Sequence, residues 1–99
     1  MILAVGPNQR PYTFGVKNER KVEILAAMES FSPTAVAEGP ARDLVTREDV
    51  GENPDVGYRY GDLLWTGEQM YNFEKHDLLL NPDFCDSILA LRAEQASEN

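Results

Sequence analysis

The 99-residue sequence predicts an α+β domain: a small antiparallel sheet of two to three strands with about three helices packed on it. Three observations predict it. Large side chains alternate over residues 12–16 and 56–60, the period of a strand with one buried face. Apolar residues recur at helical spacing after Asn18. Thr66 and Asn81 each open a segment with the residue pattern that starts a helix.

In chain order, Ile2, Leu3, Ala4 and Val5 form an apolar run of strand length. Residues 6–11 are dense in turn formers. Tyr12, Phe14 and Val16 would then share one face, so the first 16 residues read as two strands joined by a loop. Asn18 is a good N-cap and Glu19 suits a first turn, which predicts a helix over 19–31. Val22, Leu25, Ala26 and Met28 recur on it, Ile24 and Phe31 widen the stripe, and Ser32-Pro33 ends it.

Residues 34–40 read as small and irregular, 41–46 as one helical turn or a strand, and 48–55 as a polar acidic loop. Val56, Tyr58 and Tyr60 predict a third strand. Thr66 and Gln69 make a capping box, and Trp65 before the cap pairs with Met70 as a hydrophobic staple. Asn81-Pro82-Asp83 supplies a cap, a proline at the first helical position and an early acid. Phe84, Ile88 and Leu91 follow at helical spacing, with Cys85 and Leu89 alongside. Residues 95–99 read as a frayed tail. No repeat or linker divides residues 1–99, so a single domain is expected.

Hydrophobic residues make up 42% and charged residues 26%, enough for one modest core. A lone cysteine, Cys85, rules out an internal disulfide and gives no sign of an oxidising compartment. The apolar start is too short for a secretory core, and no stretch approaches the roughly 20 apolar residues of a membrane span. A cytoplasmic protein, in a cell or an infected host, is the expectation.

The formal net charge of −8 is uneven. Residues 1–33 carry four Lys/Arg against three Glu, whereas residues 34–99 carry five Lys/Arg against fourteen Asp/Glu. Such a surface repels phosphate backbones and anionic membranes and favours a basic protein partner or simply solubility. Direct nucleic-acid binding is not expected: the aromatics sit beside one arginine flanked by acids, and Arg20 and Lys21 suit the solvated face of a helix.

The residues for catalysis are sparse. Any triad must use His76, the only histidine. A Cys85–His76 dyad is conceivable, but Cys85 sits among apolar residues and His76 suits a helix end. Two Cys/His residues cannot build a structural zinc site, and His76, Asp77, Asp83 and Asp86 have no recognised ligand spacing. The acidic stretch lacks the calcium-loop pattern, and no glycine-rich phosphate motif occurs. No catalytic residue, metal or cofactor is therefore assigned.

The candidate interface is Glu48, Asp49, Glu52, Asp55, Tyr58, Arg59, Tyr60, Asp62 and Trp65, because Tyr, Trp and Arg dominate binding hot spots. For Trp65 a place in the core, stapling the following helix, is the stronger reading, and for Tyr58 and Tyr60 core and interface weigh evenly. The first expectation is a non-catalytic protein–protein binding module: a regulator, inhibitor or adaptor, or a decoy for a basic nucleic-acid-binding protein. A small virion or tail-assembly component is the second, since the compact reading frame is in keeping with a phage-encoded protein. An enzyme subunit using His76 and Cys85 is the third. No motif specifies an oligomeric state.

Overall fold

A computed structural model describes residues 1–97, apart from the side chains of Glu38, Glu52, Asn53 and Ser97. The elements are β1 (Ile2–Leu3), α1 (Lys21–Glu29), β2 (Ala35–Arg42), β3 (Asp49–Tyr60), β4 (Leu63–Thr66), α2 (Gly67–His76) and α3 (Pro82–Ser97), with a short 3-10 turn at Pro7–Gln9. Four strands form one mixed sheet in the order β1-β4-β3-β2. The α+β class and the three helices agree with the sequence. The two-to-three-stranded antiparallel sheet does not.

Two long-range pairings overturn it. First, β1 does not pair with residues 12–16. It runs parallel to β4, Ile2 against Leu63 and Leu3 against Leu64, and the ladder continues from Ala4 N–H to Leu64 C=O at 3.0 Å. Residues 12–16 instead lie along the α2–α3 connection. There Leu79 N–H donates to Thr13 C=O, Gly15 N–H to His76 C=O and Val16 N–H to Asp77 C=O, at 2.8–3.2 Å. The alternation of Tyr12, Phe14 and Val16 thus reports an extended segment with one partly buried side, not a sheet strand.

Second, the stretches expected to be irregular and loop-like pair as the antiparallel hairpin β2–β3. Glycine and proline obscured it in the sequence. Pro40 falls opposite Pro54, so the two missing N–H donors coincide at one place in the ladder. Register shifts flank that pair, and Ala41 next meets Val50. Gly51, at φ 74°, supplies the left-handed residue in the irregular stretch.

The helices mostly start where local chemistry places them. Thr66 Oγ1 accepts from Gln69 N–H at 3.1 Å, and Gln69 Oε1 accepts from Thr66 N–H at 3.0 Å, which completes the capping box of α2. Asn81 Oδ1 accepts from Asp83 N–H at 3.1 Å ahead of α3. This helix reaches Ser97, so residues 95–97 are helical and not a frayed tail; residues 98–99 of the expected tail lie outside the described residues. Helix α1 starts later than expected. Asn18 Oδ1 accepts from Arg20 N–H in a turn that precedes it. Its buried residues are Ile24, Ala27 and Met28, while Val22 is 81% exposed and does not belong to the stripe.

One core joins these elements. Trp65, Phe73, Phe84, Ile24, Met28, Leu78, Ile88 and Val5 are almost completely buried. Trp65 sits among rings: Tyr58 stacks on it at 5.1 Å between centroids, and Phe31 and Phe84 meet it edge-on at 5.7 Å. Such contacts stabilise by about 0.5–1.5 kcal/mol each beyond area burial.

Candidate functional site

The turn between β2 and β3, residues 43–48, folds back onto α2 and gathers polar side chains that the sequence did not bring together. Asp43 organises the turn. Its Oδ1 accepts from Val45 N–H and Thr46 N–H, both at 2.9 Å, an arrangement typical of aspartate at turn starts. Across the turn, Asp43 N–H donates to Glu48 C=O at 2.8 Å and Arg47 N–H to Asp43 C=O at 2.7 Å.

The other carboxylate oxygen reaches α2. Asp43 Oδ2 lies 2.8 Å from His76 Nε2 and accepts from the Tyr71 hydroxyl at 3.2 Å. An ionised carboxylate can only accept, so the His76 proton sits on Nε2. These donors, above all His76 and then the turn amides, hold the Asp43 carboxyl well below the usual carboxylate range. Burial, followed by the Asp43 contact, pushes the Tyr71 phenol up.

One turn earlier, Asn72 completes the attachment. It is fully buried, and its amide donates to Arg42 C=O and Glu68 C=O at 2.9 and 2.8 Å. Its Oδ1 accepts from Leu44 N–H at 2.8 Å. Glu68 also accepts from Arg42 N–H at 3.1 Å. The hairpin tip is therefore fixed to α2 by Glu68, Asn72, Tyr71 and His76, side chains one helical turn apart on one face.

An imidazole oriented by a carboxylate is the base half of a nucleophilic triad. Among the described residues no hydroxyl or thiol hydrogen-bonds the imidazole; the Tyr71 hydroxyl bonds the carboxylate instead. The ring neighbours of His76 are Phe14 and Tyr71, at 6.3 and 6.5 Å between centroids. The Cys85–His76 dyad does not form. Cys85 is buried beside Asn18 and Arg20, and burial raises its thiol pKa. The four residues weighed as metal ligands also part company: Asp77 pairs with Lys21 at 2.7 Å and Asp86 with Arg20 at 2.8 Å. Among the described residues no group of three His, Cys, Asp or Glu side chains could hold a metal, and no helix is long and apolar enough to cross a membrane.

The nine candidate interface residues separate. Trp65 is completely buried and Tyr58 is 8% exposed, so both are core residues and unavailable as surface anchors. Their rings were needed to fill the space between the sheet and helices α1 and α3. Tyr60 is half-buried, its hydroxyl donating to Ser32 C=O at 2.6 Å. Asp55 is structural too: its Oδ1 accepts from Val56 N–H and from Glu68 N–H in the first turn of α2, at 2.8 and 3.0 Å. It approaches so closely that a Cβ on Gly67 would stand 2.8 Å from it. Glu48, Asp49, Arg59 and Asp62 are exposed, and the Glu52 side chain lies outside the described residues.

Exposed acids of the last two thirds stand both on the helices, at Glu74, Asp83, Asp86 and Glu94, and on the β2–β3 hairpin, where Glu48 and Asp49 share the surface with Arg42, Arg47 and Arg59. No family model, curated protein or solved structure matches the chain.

Proposed function

We propose that the chain is a protein-binding module that takes an extended segment of a partner protein along the outer edge of β2. The carrying observation is that this strand stands at the end of the sheet, with no further strand beside it among the described residues. Ala35, Val36, Ala37, Gly39 and Pro40 are all exposed, Val36 at 70%. Pro40 and the register shifts beside it blunt the later part of this edge, which leaves the small, apolar stretch of residues 35–37 as the part that suits strand addition. The attachment of the hairpin tip to α2 supports the same reading, because a pre-ordered edge lowers the entropy cost of pairing. Arg42, Glu48 and Asp49, at the hairpin end of this edge, would form a charged rim. Their mixed signs favour a specific protein contact over a decoy that imitates a phosphate backbone.

The test is affinity capture from native lysate at two salt concentrations with the natural chain and with Val36→Lys. A lysine there is solvated and leaves the fold intact, but it puts a charge on the pairing edge. The expected result is a protein retained by the natural chain at both salt concentrations and lost with Val36→Lys. Identical retention by both chains would overturn the reading.

A further inference from the structure

We propose that the hollow between Tyr12 and the hairpin tip is a binding site for a phosphate-class oxyanion. It has a volume of about 140 Å³ and is lined by Tyr12, Arg42, Asp43, Leu44 and Arg47. A water molecule takes about 30 Å³ of liquid, so the space suits a tetrahedral anion with a water or two.

Four features converge on this assignment. The first is charge: in a chain of net charge −8, Arg42 and Arg47 share this wall, and Arg10 stands over the Tyr12 ring with its Cζ 5.3 Å from the centroid. The second is availability. The Arg47 side chain has no hydrogen-bond or ion-pair partner among the described residues. Arg42 has only an exposed 3.6 Å pairing with Asp49, the kind of contact that stabilises little and leaves most of the guanidinium fork free.

The third is backbone conformation. Arg47 adopts φ 68°, in the left-handed region where glycine or asparagine is usual. The turn needs a residue there, but nothing in its packing needs an arginine, since Arg47 is exposed. An unfavourable side chain at such a position points to a use for that side chain. The fourth is that the one acid on the wall is turned to other partners. Both Asp43 oxygens are occupied, by two turn amides and by His76 and Tyr71, so the carboxylate keeps its charge but faces the turn and α2, and Arg42 and Arg47 outnumber it on the wall. Two planar guanidinium forks around a small hollow match the geometry of a phosphate monoester better than a point charge does. The proposal does not depend on strand addition at β2, because a free anion suffices to test it.

The experiment is an NMR titration of the isotope-labelled chain with inorganic phosphate, repeated with phenyl phosphate and with chloride at matched ionic strength. Saturable shifts centred on Tyr12, Arg42 and Arg47, weakened by about tenfold or more in Arg47→Gly, are expected. Tighter binding of phenyl phosphate would assign an aryl ester stacked near Tyr12, and equal binding free phosphate; either result supports the site. Shifts that do not saturate, that chloride reproduces, or that persist unchanged in a folded Arg47→Gly chain would overturn it.

Discussion

Asp43 and His76, 33 residues apart, share a 2.8 Å hydrogen bond that joins the β2–β3 turn to the last turn of α2. The bond gives the hairpin a fixed attachment to the helix layer, and it makes the stability of that attachment depend on proton concentration.

The Asp43 carboxyl titrates well below its ordinary value of 3.8 in the folded chain. A depressed folded pKa means the unfolded chain binds the proton more readily, so the stabilisation is complete above about pH 4 and is lost as pH falls below it. Urea midpoints measured from pH 6 down to pH 2 should decline across that lower range. Asp43→Asn should start lower at pH 6 and show a shallower decline.

Asn72 satisfies two carbonyls and one amide while fully buried. Asn72→Ala leaves the Leu44 N–H and the Arg42 C=O without that partner. A loss of about 2–3 kcal/mol is expected from chemical denaturation. Amide exchange should rise most at residues 42–46, because those are the groups Asn72 holds.

Trp65 fills the space between Tyr58, Phe31 and Phe84. Trp65→Ala should cost about 3–5 kcal/mol, as truncation of a buried aromatic does. The measurement is the thermal midpoint. An unchanged midpoint would mean that the ring cluster around Trp65 does not carry the stability of the core.

Arg47→Gly should act in the opposite direction. Glycine relieves the left-handed strain at φ 68° while adding unfolded-chain entropy, a net gain of about 0.5–1 kcal/mol. The same substitution should weaken phosphate binding. A variant that is more stable but binds less would separate a functional role from a structural one.

What could be read from the sequence was what depends on near neighbours. Thr66 and Gln69, three residues apart, announce α2, and Asn81-Pro82-Asp83 announces α3 without reference to the rest of the chain. The sheet depended on distant partners. Nothing near Ile2 indicates Leu63. Gly39-Pro40 and Asn53-Pro54 each look like breaks until they are seen opposite one another. The polar cluster was hidden for the same reason. His76 was visible as the only histidine, but its partner Asp43 looked like one acid among many. The available signal was Asp43 at the start of a turn, followed by a helix carrying Tyr71, Asn72 and His76 on one side. Trp65 drew notice as a hot-spot residue, whereas the same chemistry, a large ring beside other rings, made it the centre of the core.

The parallel pairing of β1 with β4 also sets an order of events during synthesis. Ile2 and Leu3 are made before their partners Leu63 and Leu64, which follow some sixty residues later. Until then the first strand has no ladder to join, whereas β2, β3 and β4 can pair with their neighbours as each is completed. Closure of the sheet by β1 is the strand pairing of greatest sequence separation, the kind that slows folding because a long loop must be closed before any stabilisation is gained. The apolar segment of β1 therefore stays without its sheet partner until β4 has been made.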